Sequence, residues 1–173
     1  MLSEDSRPGA PEVWSLRPLF LWRGAKQRLE VREELSDQLV WYQDLAAKQR
    51  RAMYQGEPLQ PGGVYYWQLL PEKGKAVKVY FEIMASGERR DRLAEGLSKI
   101  ESRLKASGAS AEAIARARAG YFARRKLWAD VLRELHSVSE PSAALQATLE
   151  AVQATDFCRL AEDESAVSGL FDS

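Results

Sequence analysis

Hydrophobic and polar residues alternate most cleanly over residues 77–83. Val77, Val79, Phe81 and Ile83 fall on one face, and Lys78, Tyr80 and Glu82 on the other. A period of two predicts a half-buried strand. The run before it, Val64 to Leu70, sets Tyr65, Trp67 and Leu69 against Tyr66 and Gln68, and Pro71-Glu-Lys-Gly74-Lys between the two runs supplies a hairpin loop. Pairing Trp67 with Val79 brings Tyr65 opposite Phe81 and Leu69 opposite Val77. All six apolar residues then share one buried face, a match that a one-residue slip would destroy. The same register sets Tyr66 opposite Tyr80 on the outward face. Shorter alternating runs lie at Pro18–Trp22, Arg28–Arg32 and Leu39–Gln43, with a weaker one at Arg51–Tyr54.

After Ser86-Gly87 the period becomes 3.6. Leu93, Leu97, Ile100 and Leu104 form one stripe; Ile114, Ala117, Tyr121 and Phe122 a second; Leu127, Trp128, Val131, Leu132 and Leu135 a third. Ser110 is a good N-cap for the second helix. Pro141 stands where a fourth could begin, with Leu145, Leu149 and Val152 as its face. Composition shifts at the same place: eleven of sixteen aromatic residues precede Ser86, and seventeen of twenty-four alanines follow it. Aromatic residues suit pleated surfaces and alanine suits helices. The expected organisation is a flexible segment at 1–11, a β region at 12–85, a helical region at 88–157 and a polar acidic tail at 158–173. This is an α+β chain with segregated halves: a short antiparallel β-sandwich of about six strands, then a bundle of three to four helices.

Leu59, Pro61 and Tyr65 resemble the leucine–proline–tyrosine corner of fibronectin type III domains, and Trp22 resembles the core tryptophan of their early strand. The resemblance covers about residues 12–85, short for that family, and implies an immunoglobulin-like sandwich. The second and third helices resemble a single tetratricopeptide hairpin. Phe122, Trp128 and Leu135 fall near its large packing positions and Asp130 near its acidic one, but Lys126 stands where the repeat prefers glycine and Val131 where it prefers alanine. Some uncharacterised bacterial families look similar over nearly the whole chain, which implies an accessory or assembly module and no chemistry. One such hairpin leaves an open face that must dock on something.

Charge changes the picture by exclusion. Across 173 residues, 25 basic and 25 acidic side chains cancel, so no whole-protein field attracts nucleic acid or an anionic membrane. No apolar stretch reaches the length of a membrane span. The proline-rich, acidic start has no basic region followed by an apolar one, so a cytoplasmic location is expected, or a periplasmic one if Met1 replaces a removed leader. Cys158 is the single cysteine and His136 the single histidine. Neither has the companions that metal ligation or nucleophilic catalysis needs, and both are read as structural. Glu30, Glu33, Glu34, Asp37 and Asp44 could supply an acid/base pair, but strand exteriors and turns ordinarily carry such charges in solvent. No enzymatic activity, cofactor or metal is expected.

The expected function is protein–protein interaction or complex assembly. The alternative is a sandwich that binds a small ligand or carbohydrate through outward aromatics. The candidate partner-binding residues are Trp41, Tyr66, Tyr80, Arg124, Arg125 and Lys126. Exposed aromatic residues are typical interface anchors. The face carrying Tyr66 and Tyr80 could equally be covered by the protein's own helices, and the same choice applies to whichever of Trp41 and Tyr42 points outward. Arg124-Arg125-Lys126 fits a helix C-terminus or the rim of an acidic protein partner better than a phosphate backbone.

Overall fold

A computed structural model describes residues 9–154. Residues 1–8 of the expected flexible segment, Phe157, Cys158 and the acidic tail lie outside the described residues, as does the Val152 side chain. The chain is α+β, strands first and helices after, and it divides into two compact units after Arg90.

Seven strands form the first unit: β1 (Glu12–Val13), β2 (Leu19–Leu21), β3 (Arg28–Glu33), β4 (Leu39–Asp44), β5 (Arg51–Met53), β6 (Val64–Leu70) and β7 (Lys78–Ile83). Five of them make one sheet in the order β1-β7-β6-β3-β4, and β2 and β5 pair separately. The inner face of the larger sheet carries Val13, Leu29, Val31, Tyr65, Phe81 and Ile83, all buried. The β2–β5 ribbon contributes Phe20, whose ring lies 5.4 Å from that of Trp67 and 6.0 Å from that of Phe81. Tyr54, just past β5, packs on Trp41 at 5.1 Å. Two β layers thus close on an aromatic core.

The β6–β7 register is the one the alternation predicts, with Tyr65 opposite Phe81, Tyr66 opposite Tyr80 and Trp67 opposite Val79. It stops one pair early. The ladder ends at Gln68–Lys78, Val77 is 75% exposed, and Leu69 pairs instead with Leu29 of β3. Of the six residues expected on one buried face, Tyr65 and Phe81 are buried, Trp67 and Leu69 are partly exposed, and Val79, like Val77, is exposed. The strand count rises to seven because β1, too short to show alternation, pairs with β7. That pairing is parallel, so the sheet is mixed and not wholly antiparallel.

The chain enters β6 through a corner. Tyr65 folds back so that its hydroxyl accepts a hydrogen bond from the Gln60 backbone N–H at 3.1 Å, with Leu59 buried beneath. Gly63 permits this approach: a Cβ there would lie 2.7 Å from the Tyr65 ring.

The helices are α1 (Glu88–Ala106), α2 (Ala111–Ala123), α3 (Trp128–His136) and α4 (Ala143–Ala154). Ser110 caps α2 as expected, accepting from the Ala113 N–H at 3.1 Å. Pro141 precedes α4, and the cap itself is Ser142, which accepts from the Leu145 N–H at 3.2 Å. The buried face of α2 differs from the expected stripe: Ala115, Ala119, Phe122 and Ala123 are buried, whereas Ile114 and Ala117 are partly exposed. Small residues on that face allow close helix approach. Arg118 also turns inward, gripping Glu134 of α3 with two bonds of 2.9 Å and reaching Glu101 of α1 at 3.2 Å. Between α2 and α3 the chain reverses at Lys126, whose φ of 59° is left-handed, and the Leu127 N–H bonds back to the Phe122 carbonyl at 3.2 Å.

Replacing Tyr65 with Phe removes one side chain–backbone bond and keeps the ring. We expect a loss of about 1 kcal/mol of stability in urea denaturation. Gly63→Ala should cost more than Tyr65→Phe, because the added methyl displaces the ring itself.

Candidate functional site

The outer face of the five-stranded sheet carries most of the first unit's chemistry. Strand register puts Lys78, Tyr80 and Glu82 of β7, Tyr66 and Gln68 of β6, Arg28, Glu30 and Arg32 of β3, and Tyr42 and Asp44 of β4 on this side. Three small networks organise it. At its centre Glu30, 6% exposed, accepts from Arg32 at 3.0 Å and from Gln68 at 2.9 Å. Burial pushes the Glu30 carboxyl upward, but the bonds from Gln68 and Arg32 outweigh it and hold the group below its ordinary range. Near the turn, the Tyr66 hydroxyl donates to Asp37, and the Lys78 ammonium sits 4.1 Å above the Tyr66 ring and 3.7 Å from the Asp37 carboxylate. The Tyr66 bond, aided by Lys78 and Arg32, lowers the Asp37 pKa against a smaller desolvation effect. Burial and the bond to Asp37 raise that of Tyr66. Toward β4, Arg28 bonds Asp44 at 2.8 Å and stacks 4.5 Å over the Tyr42 ring.

These placements correct the expectations for Tyr66, Trp41 and Glu30. Tyr66 is on the outward face, but at 2% exposure it is buried, with Tyr80 5.5 Å away and Lys78 over its ring. Trp41 lies on the inner face against Tyr54, and it is Tyr42, 50% exposed, that points outward. An alternating Trp-Tyr pair reads equally well in either phase until β3 sets the register, with Val31 opposite Trp41 and Glu30 opposite Tyr42. Tyr80 is half-buried. Glu30, expected in solvent, is inside a network.

The free margin of the sheet was not singled out from sequence. β4 is one of the two end strands of its sheet, β1 being the other. Its register against β3 shifts between Val31 and Arg32, so that Leu39 faces Arg32 and Val40 is the extra residue. Four of the large apolar residues exposed among the described residues cluster on this hairpin: Leu35 at 80%, Leu39 at 38%, Val40 at 39% and Tyr42 at 50%. Leu-Val-Trp-Tyr is an apolar run in the sequence. Only the position of β4 at the sheet margin leaves part of that run uncovered.

In the second unit, Arg124, Arg125 and Lys126 are all exposed at the α2–α3 turn. Arg125 stacks 3.6 Å over the Tyr121 ring and bonds the Tyr121 carbonyl at 2.9 Å. Of the other basic residues on α2, Arg116 bonds Glu112 at 3.2 Å and Arg118 is engaged with Glu134. The cluster thus reduces to three outward cations at the turn. His136 is partly buried at the end of α3. Among the described residues, no group of three or more His, Cys, Asp or Glu side chains is arranged to hold a metal ion, and no helix is long and apolar enough to cross a membrane.

No family model, curated protein or solved structure matches this chain.

The Asp37 interaction has a pH signature. A carboxyl whose folded pKa is depressed contributes stability that is complete above its unfolded value, about 3.9, and is lost as pH falls through the folded value. Asp37→Asn should therefore be less stable than wild type at neutral pH, and the gap should narrow below about pH 4. Denaturant midpoints measured over that range check it.

Proposed function

We propose that this protein is a non-enzymatic interaction module that engages another protein chain through the β4 margin of its first unit. The observation that carries this reading is the cluster of Leu35, Leu39, Val40 and Tyr42 on one hairpin at a sheet edge. Contiguous exposed apolar side chains on a charged, soluble chain mark interaction surfaces, and an end strand offers backbone hydrogen bonds as well. The non-enzymatic part is supported by the use of the carboxylates: Glu30 and Asp44 each face an arginine, and Asp37 faces Tyr66 and Lys78. The lone Cys158 suits a reducing, cytoplasmic setting.

We read the first unit as a short fibronectin type III-like sandwich. The β4-β3-β6-β7 order opposite the β2–β5 pair supports this, as does the tyrosine corner at Tyr65. The α2–α3 pair is read as a degenerate tetratricopeptide-like hairpin, supported by the burial of Phe122, Asp130 and Leu135. The three cations at its turn are a second place for an acidic protein partner; their small number, with Arg116 and Arg118 of α2 held by Glu112 and Glu134, does not favour nucleic acid. Carbohydrate binding through outward aromatics loses support from the burial of Tyr66, which leaves Tyr42 as the well-exposed ring on that face.

A tagged pull-down at native expression level should recover one stoichiometric protein with wild type and lose it with Leu39→Lys/Tyr42→Lys. Arg124→Glu/Arg125→Glu/Lys126→Glu should still recover it. Loss only with the charge reversal would move the site to the helical turn. Failure of wild type to recover any protein, its own chain included, would overturn the interaction reading.

A further inference from the structure

The β4 margin also points to what occupies it. The Leu45 N–H donates to the Gln27 carbonyl at 2.8 Å, just beyond the Arg28–Asp44 pair. Successive residues of a strand turn their backbone groups to opposite edges. Gln43 and Trp41 therefore face β3 as Leu45 does, while Tyr42 and Asp44 present their N–H and C=O groups to the open side. Among the described residues β4 pairs with β3 alone. Sheet margins are ordinarily protected by lysine, proline, inward charges or bulges. Leu39–Gln43 contains no proline and no charge. The one irregularity lies between Val31 and Arg32, beside Leu39 and Val40, so the stretch from Trp41 onward is regular.

We propose that a second copy of this chain occupies the margin, β4 pairing antiparallel with β4 across a two-fold axis normal to the sheet that passes between Tyr42 and its copy. This rests on the reading of the β4 margin as the interaction surface. A two-fold normal to the sheet keeps outer face beside outer face, so each residue must meet one of its own face. Centred on Tyr42, the operation places Tyr42 beside its copy and Trp41 beside Gln43. The two copies of Asp44, the one charged residue of β4, stay clear of each other: each falls opposite Val40 of its mate and is already bonded to Arg28 at 2.8 Å. Like charges directly opposite, which would oppose pairing, do not arise. Arg28 stands 4.5 Å over one face of each Tyr42 ring, and the ring is 50% exposed. The ring is therefore held by its own chain and presented to its mate, forming a run of Arg28, Tyr42, Tyr42 and Arg28 along the outer face. An unrelated peptide would have to supply both the strand and the aromatic side chain at this position; the second copy carries both by symmetry. An interface of one strand and a few apolar side chains is small, so the association is weak and reversible.

Sedimentation of wild type over a wide concentration series should show a monomer–dimer equilibrium, abolished by Leu39→Lys/Tyr42→Lys in protein that retains the wild-type circular dichroism and melting temperature. The register is tested in a Cys158→Ser background. Tyr42→Cys should form an interchain disulfide on mild oxidation, because opposed residues in a hydrogen-bonded pair lie about 5.5 Å apart, inside the disulfide range of about 4.4–6.8 Å. Asp44→Cys should not, since its two copies are displaced by about four residues, roughly 13 Å. A wild type that stays monomeric throughout, or equal cross-linking at both positions, overturns self-pairing. If the monomeric wild type still captures a different protein in a Tyr42-dependent way, the interaction reading stands and only the second copy is excluded as occupant.

Discussion

The first unit depends on one contact between layers: the Phe20 ring of the β2–β5 ribbon packed against Trp67 and Phe81 of the larger sheet. The ribbon has three paired positions, too few for an isolated two-stranded element to hold in water. Burying one aromatic side chain removes roughly 150–250 Å² from solvent, worth about 4–6 kcal/mol as an upper estimate. That exceeds what any single cross-strand pair supplies, about 0.2–1 kcal/mol. Phe20 thus anchors the ribbon, and the ribbon covers the inner face. Tyr65, stacked on Phe81 at 5.8 Å, serves both this core and the corner that brings the chain into β6.

Polar groups follow a consistent division of labour. Glu30 of the first unit and Glu134 of the second are both buried, and each faces an arginine: Arg32 at 3.0 Å and Arg118 at 2.9 Å. Leaving either charge without its partner would be far more damaging than the pair is favourable, so these contacts constrain geometry more than they add stability. In the helical unit the paired hydrogen bonds from Arg118 to Glu134 set α2 against α3 at one position along their length. On the sheet, Glu30 ties Arg32 of its own strand to Gln68 of β6. Three of the carboxylates weighed as candidate chemistry in the sequence, Glu30, Asp37 and Asp44, each have an opposing group nearby.

The proposed function rests on what this packing leaves over. Arg28 is held by Asp44, Glu30 by Arg32 and Gln68, and Asp37 by Tyr66 and Lys78, while Leu35, Leu39, Val40 and Tyr42 of the β4 hairpin are exposed and, among the described residues, β4 pairs with β3 alone. The sheet ends on β1 at one side and β4 at the other, the first two residues long and the second six. The β4 side is where an additional strand gains both hydrogen bonds and apolar cover.

By itself the sequence determined local periods and the register they imply. Alternation in 64–70 and 77–83 placed Tyr65 against Phe81 and Trp67 against Val79, because a period of two allows one buried face and no slipped alternative. The 3.6 period and Ser110 located the helices, since capping and amphipathicity act within a few residues. Tertiary structure decided what lies on either side of each element. It ended the hairpin before Val77, added β1 from two residues with no readable pattern, turned Trp41 in and Tyr42 out, and put Ala115 and Ala119 of α2 inward where Ile114 and Ala117 were expected. Each of these depends on which neighbour a side chain meets across the fold: β3 for Trp41, α3 for α2. Neighbours distant in sequence leave no trace in the periodicity of the element they cover. The open margin of β4 is of the same kind, an apolar run like the others until the strand order leaves it last.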